Sequence, residues 1–508
     1  MPSESTPLSL RSTSLQINLS IWRREEARRR DIKRGGFFIL ALCASIVIVT
    51  YVAEPTVENN NTNHQVQAHA GTQNIPVNMT TKSPEAFCGL TTQDAGYVKL
   101  SNKVDDHYFY WYFESRSQPS TDPLVLWLTG ELGCSSMTAL LTENGPCHVL
   151  PDLSTQLNPY SWTNESNVIW LDQPTRVGFT YGDERDADNG EDNVGEDIYY
   201  FLQGFFEKHL ELSGRDFYIT GESYGGHSVP VVAHYVWQKN KATTDTSQHI
   251  NLKGIAIGNG LMQASIQWPH YIDMAIDNAY NISLVNATEL DKMKVAMPVC
   301  ISLLEQCPQN TTACIDGRGF CMENLYVPLL KAGRNPYDIR MPCKNEGNGM
   351  ECYDMSYVSK YLDAPNVRKS LGVDVKRAGD WQECNSKVRE VFLKTADAVT
   401  PINTYMADLL NNGVRVLIYA GDADLVCNWY GNHAWTQALQ WKGRDGFNAA
   451  PETPFIMADG MNAGMVRSFN NQLTFLRVFN SGHMVPHDQP AVALNMLSKF
   501  LKNQALSS

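Results

Sequence analysis

Residues 221–230 (GESYGGHSVP) follow a short apolar run at 217–220 (FYIT) and lead into 231–236 (VVAHYV). The apolar run has the length and composition of a buried strand, and the residues after Pro230 can continue as a helix. A chain that crosses from strand to helix through Gly-x-Ser-x-Gly must turn sharply, and glycines permit the dihedrals and close backbone approach that such a turn demands. The turn lifts the Ser223 hydroxyl above a sheet and sets its backbone beside a helix N-terminus. Ser223 is therefore a candidate nucleophile, in need of a base and an orienting carboxylate.

The rest of the chain repeats the strand-and-helix rhythm. Runs of strand length stand at 107–113 (HYFYWYF), 124–128 (LVLWL), 168–171 (VIWL), 252–260 (LKGIAIGNG), 414–420 (VRVLIYA) and 474–479 (TFLRVF), and helical periodicity at 195–212 and 491–501. Alternating strands and helices predict an α/β fold, with a mostly parallel central sheet covered on both faces. Residues 266–380 break the rhythm, with six cysteines and three glycosylation sequons, and read as an inserted, cysteine-rich subdomain between core segments 85–265 and 381–508.

Candidates for the missing base and acid lie after the last two core strands: Asp422 and Asp424 in GDADLVCNW, and His483 in GHMVP. The chain order is then Ser, Asp, His, the order of the α/β-hydrolases, in which functional groups gather at the carboxyl edge of the sheet.

Charge and cysteine placement bound the setting. Residues 1–34 hold eight Lys/Arg and four Asp/Glu, whereas the remainder carries a net charge of -17, which argues against a nucleic-acid partner. Residues 35–53 (GGFFILALCASIVIVTYVA) are uncharged, and nineteen residues at about 1.5 Å each nearly span a hydrocarbon core of roughly 30 Å. Basic residues before it and Glu54 and Glu58 after it predict a membrane anchor with a cytosolic tail, 1–34, and everything beyond residue 53 across the membrane. A cleaved signal peptide is the rival reading, disfavoured by bulky Tyr51 near the cleavage position. Residues 54–84, rich in Asn, Thr, Gln and Pro, read as a disordered stalk or propeptide. Sequons at Asn60, Asn78, Asn164, Asn281, Asn286 and Asn310, with eleven of twelve cysteines beyond the anchor, predict an oxidising lumen or exterior, with N-glycans expected at the last five.

The motifs WLTGELGCSSM at 127–137, DQPTRVGFTY at 172–181, GESYGGHSVP, GDADLVCNW and GHMVP together resemble the serine carboxypeptidases of the carboxypeptidase Y type, over about residues 87–501. The resemblance implies an α/β-hydrolase fold and release of C-terminal residues from peptides through an acyl-enzyme, with Ser223 as nucleophile, His483 as base and Asp424 as triad acid. It implies that Glu222 holds the substrate's C-terminal carboxylate in a pocket lined by Trp127, Thr129, Gly130, Thr138, Glu143 and Met484. Two carboxylates share a hydrogen bond only when one is protonated, so such a site works best in acid. Tyr224 and Glu131 fall where the family's oxyanion-hole N–H groups lie. The resemblance also implies disulfides Cys134–Cys384 and Cys343–Cys352 and a free thiol at Cys427. Cys300, Cys307, Cys314 and Cys321 suggest nested pairs, 300 with 321 and 307 with 314, although four cysteines allow three connectivities and a zinc site is a rival. The Cys88–Cys147 pairing is left open. No metal or organic cofactor is implied.

The chain departs from the family's Trp-Leu-Asn-Gly-Gly-Pro-Gly at three positions: Thr129, Glu131 and Leu132. Thr129 replaces an amide donor by a shorter hydroxyl, and Glu131 places a carboxylate where an oxyanion and an incoming carboxylate must sit. Two classes of function follow: a working serine carboxypeptidase of altered rate or substrate choice, or a catalytically weak, membrane-anchored homologue that binds peptide or protein. An esterase or acyltransferase on the same scaffold is a third.

Overall fold

The computed structural model describes residues 88–130, 132–307, 309–343 and 352–507, and Lys82–Ser508 form one compact unit. The expected tail, anchor and stalk (1–34, 35–53 and 54–84), together with Asn60, Asn78 and Glu131, lie outside the described residues. Among the described residues no helix is long and apolar enough to cross a membrane.

One sheet of ten strands organises the unit. Its centre is six parallel strands in the order Asn167–Leu171, Leu124–Leu128, Phe217–Glu222, Leu252–Gly258, Arg415–Gly421 and Leu473–Val478. Antiparallel strands extend it on both sides: His107–Phe113 and Gln93–Lys99 at one edge, Asn462–Phe469 and Thr453–Ile456 at the other. The central strands are near-continuous apolar runs because helices cover both faces, so both sets of alternating side chains are buried. Leu124, Leu126 and Leu128 enter one core cluster while Val125 and Trp127 enter the other; Val416, Ile418 and Ala420 divide from Leu417 and Tyr419 in the same way.

The flanking helix expected at 195–212 spans Glu191–Lys208, and the terminal helix spans Pro490–Leu501. The expectation missed three strands of this sheet, Gln93–Lys99, Thr453–Ile456 and Asn462–Phe469, and the four short strands of two small hairpins. The three in the sheet belong to the antiparallel margins, where one face is partly open and sequences such as QDAGYVK carry no apolar run. Residues 266–380 are largely helical, with helices Ala287–Leu304 and Thr311–Cys321 stapled by Cys300–Cys321 and Cys307–Cys314. A small hairpin, Arg334–Asn335 with Asp338–Pro342, follows.

Disulfides Cys88–Cys147, Cys134–Cys384 and Cys343–Cys352 complete five such links among the described residues. Cys134–Cys384 joins positions 250 residues apart and ties the loop after Leu124–Leu128 to the segment before helix Ser386–Lys394. A crosslink closing so long a loop restricts the unfolded chain strongly. Replacing both Cys134 and Cys384 by Ala should cost about 2–5 kcal/mol of stability in denaturant unfolding; an unchanged unfolding midpoint would show that this link is energetically idle.

Candidate active site

Ser223, Asp424 and His483 stand beyond the carboxyl ends of parallel strands. Ser223 follows directly on Phe217–Glu222, at φ 57°, a left-handed conformation that a residue with a β-carbon adopts only when its surroundings impose it. Three hydrogen bonds impose it here: its N–H donates to Gly258 O at 3.0 Å, and its carbonyl accepts from Gly226 N and Leu261 N, both at 2.9 Å. Helix Gly225–Ala242 begins two residues later.

Asp424 and His483 meet across the ends of Arg415–Gly421 and Leu473–Val478. His483 Nδ1 lies 2.8 Å from Asp424 Oδ2, with the two residues only 2% and 0% exposed. An ionised carboxylate only accepts, so Nδ1 carries the proton and Nε2 keeps its lone pair. Three more donors satisfy the buried carboxylate: Asn259 Nδ2 at 2.8 Å, Val426 N at 2.9 Å and Cys427 N at 3.2 Å. The ring is seated by Tyr337, which packs edge-on at 4.5 Å between centroids and accepts the His483 backbone N–H at 2.7 Å. His483 Nε2 has no hydrogen-bond partner among the described residues, and it shares a small cavity with Ser223.

That cavity, about 40 Å³, is lined by Thr129, Gly130, Thr138, Glu143, Glu222 and Met484, among others. The Glu143 and Glu222 side chains share a hydrogen bond. Burial, then repulsion from Asp488, pushes Glu143 up, while burial followed by the charges of Glu143 and Asp424 pushes Glu222 well up. The pair therefore holds protons where ordinary glutamates have lost them. One oxygen of each carboxyl and the Thr138 hydroxyl have no partner among the described residues. Trp127 differs from the expectation: it is fully buried against Trp162 and does not line the cavity, because strand alternation turns it into the core. It acts at one remove, its indole N–H donating to Thr129 Oγ1 at 2.8 Å. That bond leaves the threonine proton for another acceptor.

The Tyr224 backbone N–H is engaged, donating to Gly130 O at 2.6 Å. Gly130 approaches so closely that a β-carbon there would lie 1.4 Å from Glu222 O, so no other residue fits in this arrangement. Asp172 anchors the far end of the same loop, accepting from Ser135 Oγ at 2.5 Å and Ser136 N at 3.1 Å. Asp422 braces its own turn, accepting from Tyr280 Oη at 2.5 Å with Arg477 at 3.6 Å. Cys427 is a buried free thiol within hydrogen-bonding reach of Ser223, and burial pushes it well up. Among the described residues no cluster of metal-ligating side chains occurs. Sequence reasoning passed over Asn259, Tyr337 and Asp488. The Gly258-Asn259-Gly260 turn directly after a buried strand marks Asn259's place but not its partner; Tyr337 and Asp488 carry no local signal.

The sheet order and these strand-end loops define an α/β-hydrolase architecture. Residues 84–503 match the serine carboxypeptidase family, and the chain belongs to that family. A serine carboxypeptidase-like protein of Oryza sativa subsp. japonica is 41% identical over 414 residues, covering 80% of this chain and 92% of the relative. Carboxypeptidase Y of Candida albicans is 38% identical over 464 residues, 90% of this chain and 82% of the relative. A vacuolar serine-type carboxypeptidase of Saccharomyces cerevisiae is 39% identical over 420 residues, 82% and 80% respectively. Among solved structures, a prohormone-processing carboxypeptidase of the same yeast superposes with a TM-score of 0.73 at 27% identity, covering 81% of this chain and 92% of that one.

The Asn259 bond to Asp424 makes a specific prediction. Losing one hydrogen bond to a charged group costs about 1.5–3 kcal/mol. Asn259→Ala should thus lower kcat roughly tenfold to a hundredfold with little change in KM; an equal rise in KM would move the residue's role to substrate binding.

Proposed function

We propose that this serine carboxypeptidase works through Ser223, His483 and Asp424, and that Glu222 and Glu143 direct it to free C-termini. The buried His483–Asp424 hydrogen bond carries the reading, because it leaves Nε2 as an acceptor facing the cavity that Ser223 shares. Ser223 Oγ attacks the carbonyl carbon of the last peptide bond as its proton passes to His483 Nε2. The imidazolium then protonates the departing amino acid, and water repeats the sequence on the acyl-enzyme. The leaving residue occupies the small cavity beside Met484, its carboxylate meeting the protonated Glu222–Glu143 pair with Thr129, Thr138 and Gly130 around it.

The oxyanion hole uses the Tyr224 N–H with that of Glu131. For Tyr224 to serve, the Gly130 carbonyl must leave it, so turnover includes the cost of opening that bond. This supports reading Thr129, Glu131 and Leu132 as changes that slow the enzyme. Glu131→Gly should raise kcat, by as much as about a hundredfold if the second donor is deficient; an unchanged rate would remove Glu131 as a handicap.

Around this core, residues 266–380 are an inserted cap, and residues 35–53 hold the catalytic unit to a membrane as a type II anchor. The tail 1–34 is then cytosolic, and 54–84 is a stalk. The disulfides support a lumenal or extracellular catalytic unit. N-glycans are proposed at Asn78, Asn164, Asn281, Asn286 and Asn310; Asn286 and Asn310 cap helices through Oδ1 and leave Nδ2 for a sugar.

The acid pair sets the pH dependence. Protonated carboxyls donate to a substrate carboxylate; the donor is present below the raised pKa of the pair and lost as pH rises through it. Release of free amino acid from blocked dipeptides should therefore be strongest in acid and fall with rising pH through KM. C-terminal amides should be poor substrates without that limb. Glu222→Gln, which keeps a neutral donor at every pH, should flatten the fall; an unaltered profile would place the titration elsewhere.

A further inference from the structure

A second, larger cavity of about 170 Å³ opens on the other side of Ser223, sharing Ser223, Gly130 and Tyr337 with the first. If the departing residue sits with Glu222 and Glu143, this cavity receives the side chain of the residue before the scissile bond, whose carbonyl Ser223 attacks. Its walls are mostly apolar, with Leu261, Tyr271 and the Cys427 thiol among them. Its described lining also contains two arginines, Arg318 and Arg389, and no Asp or Glu. Glu131, between two lining residues, lies outside the described residues.

The arginines come from different helices. Arg318 lies on helix Thr311–Cys321, which the Cys300–Cys321 and Cys307–Cys314 bonds hold in place, and Arg389 on helix Ser386–Lys394, just beyond the Cys134–Cys384 bond. Among the described residues no side chain or carbonyl accepts a hydrogen bond from the Arg318 guanidinium and no carboxylate pairs with it. Burial, then the like charge of Arg389, pulls its pKa down. A half-buried guanidinium with no acceptor is unfavourable in the empty enzyme, and a carboxylate entering beside Arg318 relieves it through charge-assisted, two-pronged hydrogen bonds.

We propose that this cavity selects an acidic side chain, so that the enzyme prefers peptides whose penultimate residue is Glu or Asp. The inference rests on the carboxypeptidase reading of the site, and it separates the two carboxylates of such a substrate by chemistry. The terminal one meets the protonated glutamate pair, and the side-chain one meets Arg318. A penultimate glutamate is ionised above about pH 4.3, so the preference operates in mild acid, where the glutamate pair is also protonated.

The test uses blocked dipeptides X-Ala with X as Glu, Leu or Lys, near pH 5.5. kcat/KM should run Glu above Leu above Lys, with Glu over Lys by tenfold or more. Arg318→Met should lower the Glu-to-Leu ratio by about tenfold, with fluorophosphonate labelling of Ser223 confirming that the variant is folded. Arg318→Glu should shift the preference toward Lys, a gain that misfolding cannot mimic. Leu equal to or above Glu in the native enzyme overturns the proposal and leaves the carboxypeptidase reading intact, as does an unchanged ratio in both variants. Hydrolysis of none of the three peptides overturns both.

Discussion

His483 keeps Nδ1 against the Asp424 carboxylate at 2.8 Å, out of contact with water. A carboxylate taken that far from solvent is costly unless its lone pairs are matched, and breaking such a buried pair typically costs about 3–5 kcal/mol. Here Val426 and Cys427, in Asp424's own turn, and Asn259, at the end of the neighbouring strand Leu252–Gly258, supply the matching donors. The site therefore depends on the strand order. Phe217–Glu222, Leu252–Gly258, Arg415–Gly421 and Leu473–Val478 are consecutive in the sheet, so Ser223, Asn259, Asp424 and His483 emerge side by side although up to 260 residues separate them.

The serine then divides two environments of opposite character. On one side, buried carboxyls retain protons because burial and mutual repulsion disfavour their charge. On the other, two cations line an otherwise apolar cavity. The two helices that carry the arginines each lie beside disulfides, so the charge pattern is built into stiff parts of the molecule. The tightest point lies between, where Gly130 touches the Glu222 backbone and its carbonyl takes the Tyr224 N–H.

The parallel core and the positions of Ser223, Asp424 and His483 were legible because buried strands are continuous apolar runs and strand-end turns carry conspicuous glycines and aspartates. The antiparallel margins were legible only at His107–Phe113, since Gln93–Lys99 is only half-buried and lacks the alternation that marks a strand. Trp127 illustrates the limit of motif position: Thr129, just past the end of the strand, reaches the cavity, whereas the indole, still within the strand, packs in the core. Asn259, Tyr337 and Asp488 act through contacts between distant segments, which no local pattern encodes. The two arginines were equally invisible, since Arg318 and Arg389 are brought to one cavity only by the packing of helices Thr311–Cys321 and Ser386–Lys394 around it.

The central claim is that the strained, hydrogen-bonded Ser223 is a nucleophile whose base is held by Asp424. Reaction with a fluorophosphonate, followed by peptide mapping in a mass spectrometer between mildly acidic and neutral pH, measures that directly. The account predicts a single adduct on Ser223, formed at a rate that collapses in His483→Ala and is strongly reduced in Asp424→Asn. No adduct on Ser223, or labelling that proceeds undiminished without His483, would contradict it.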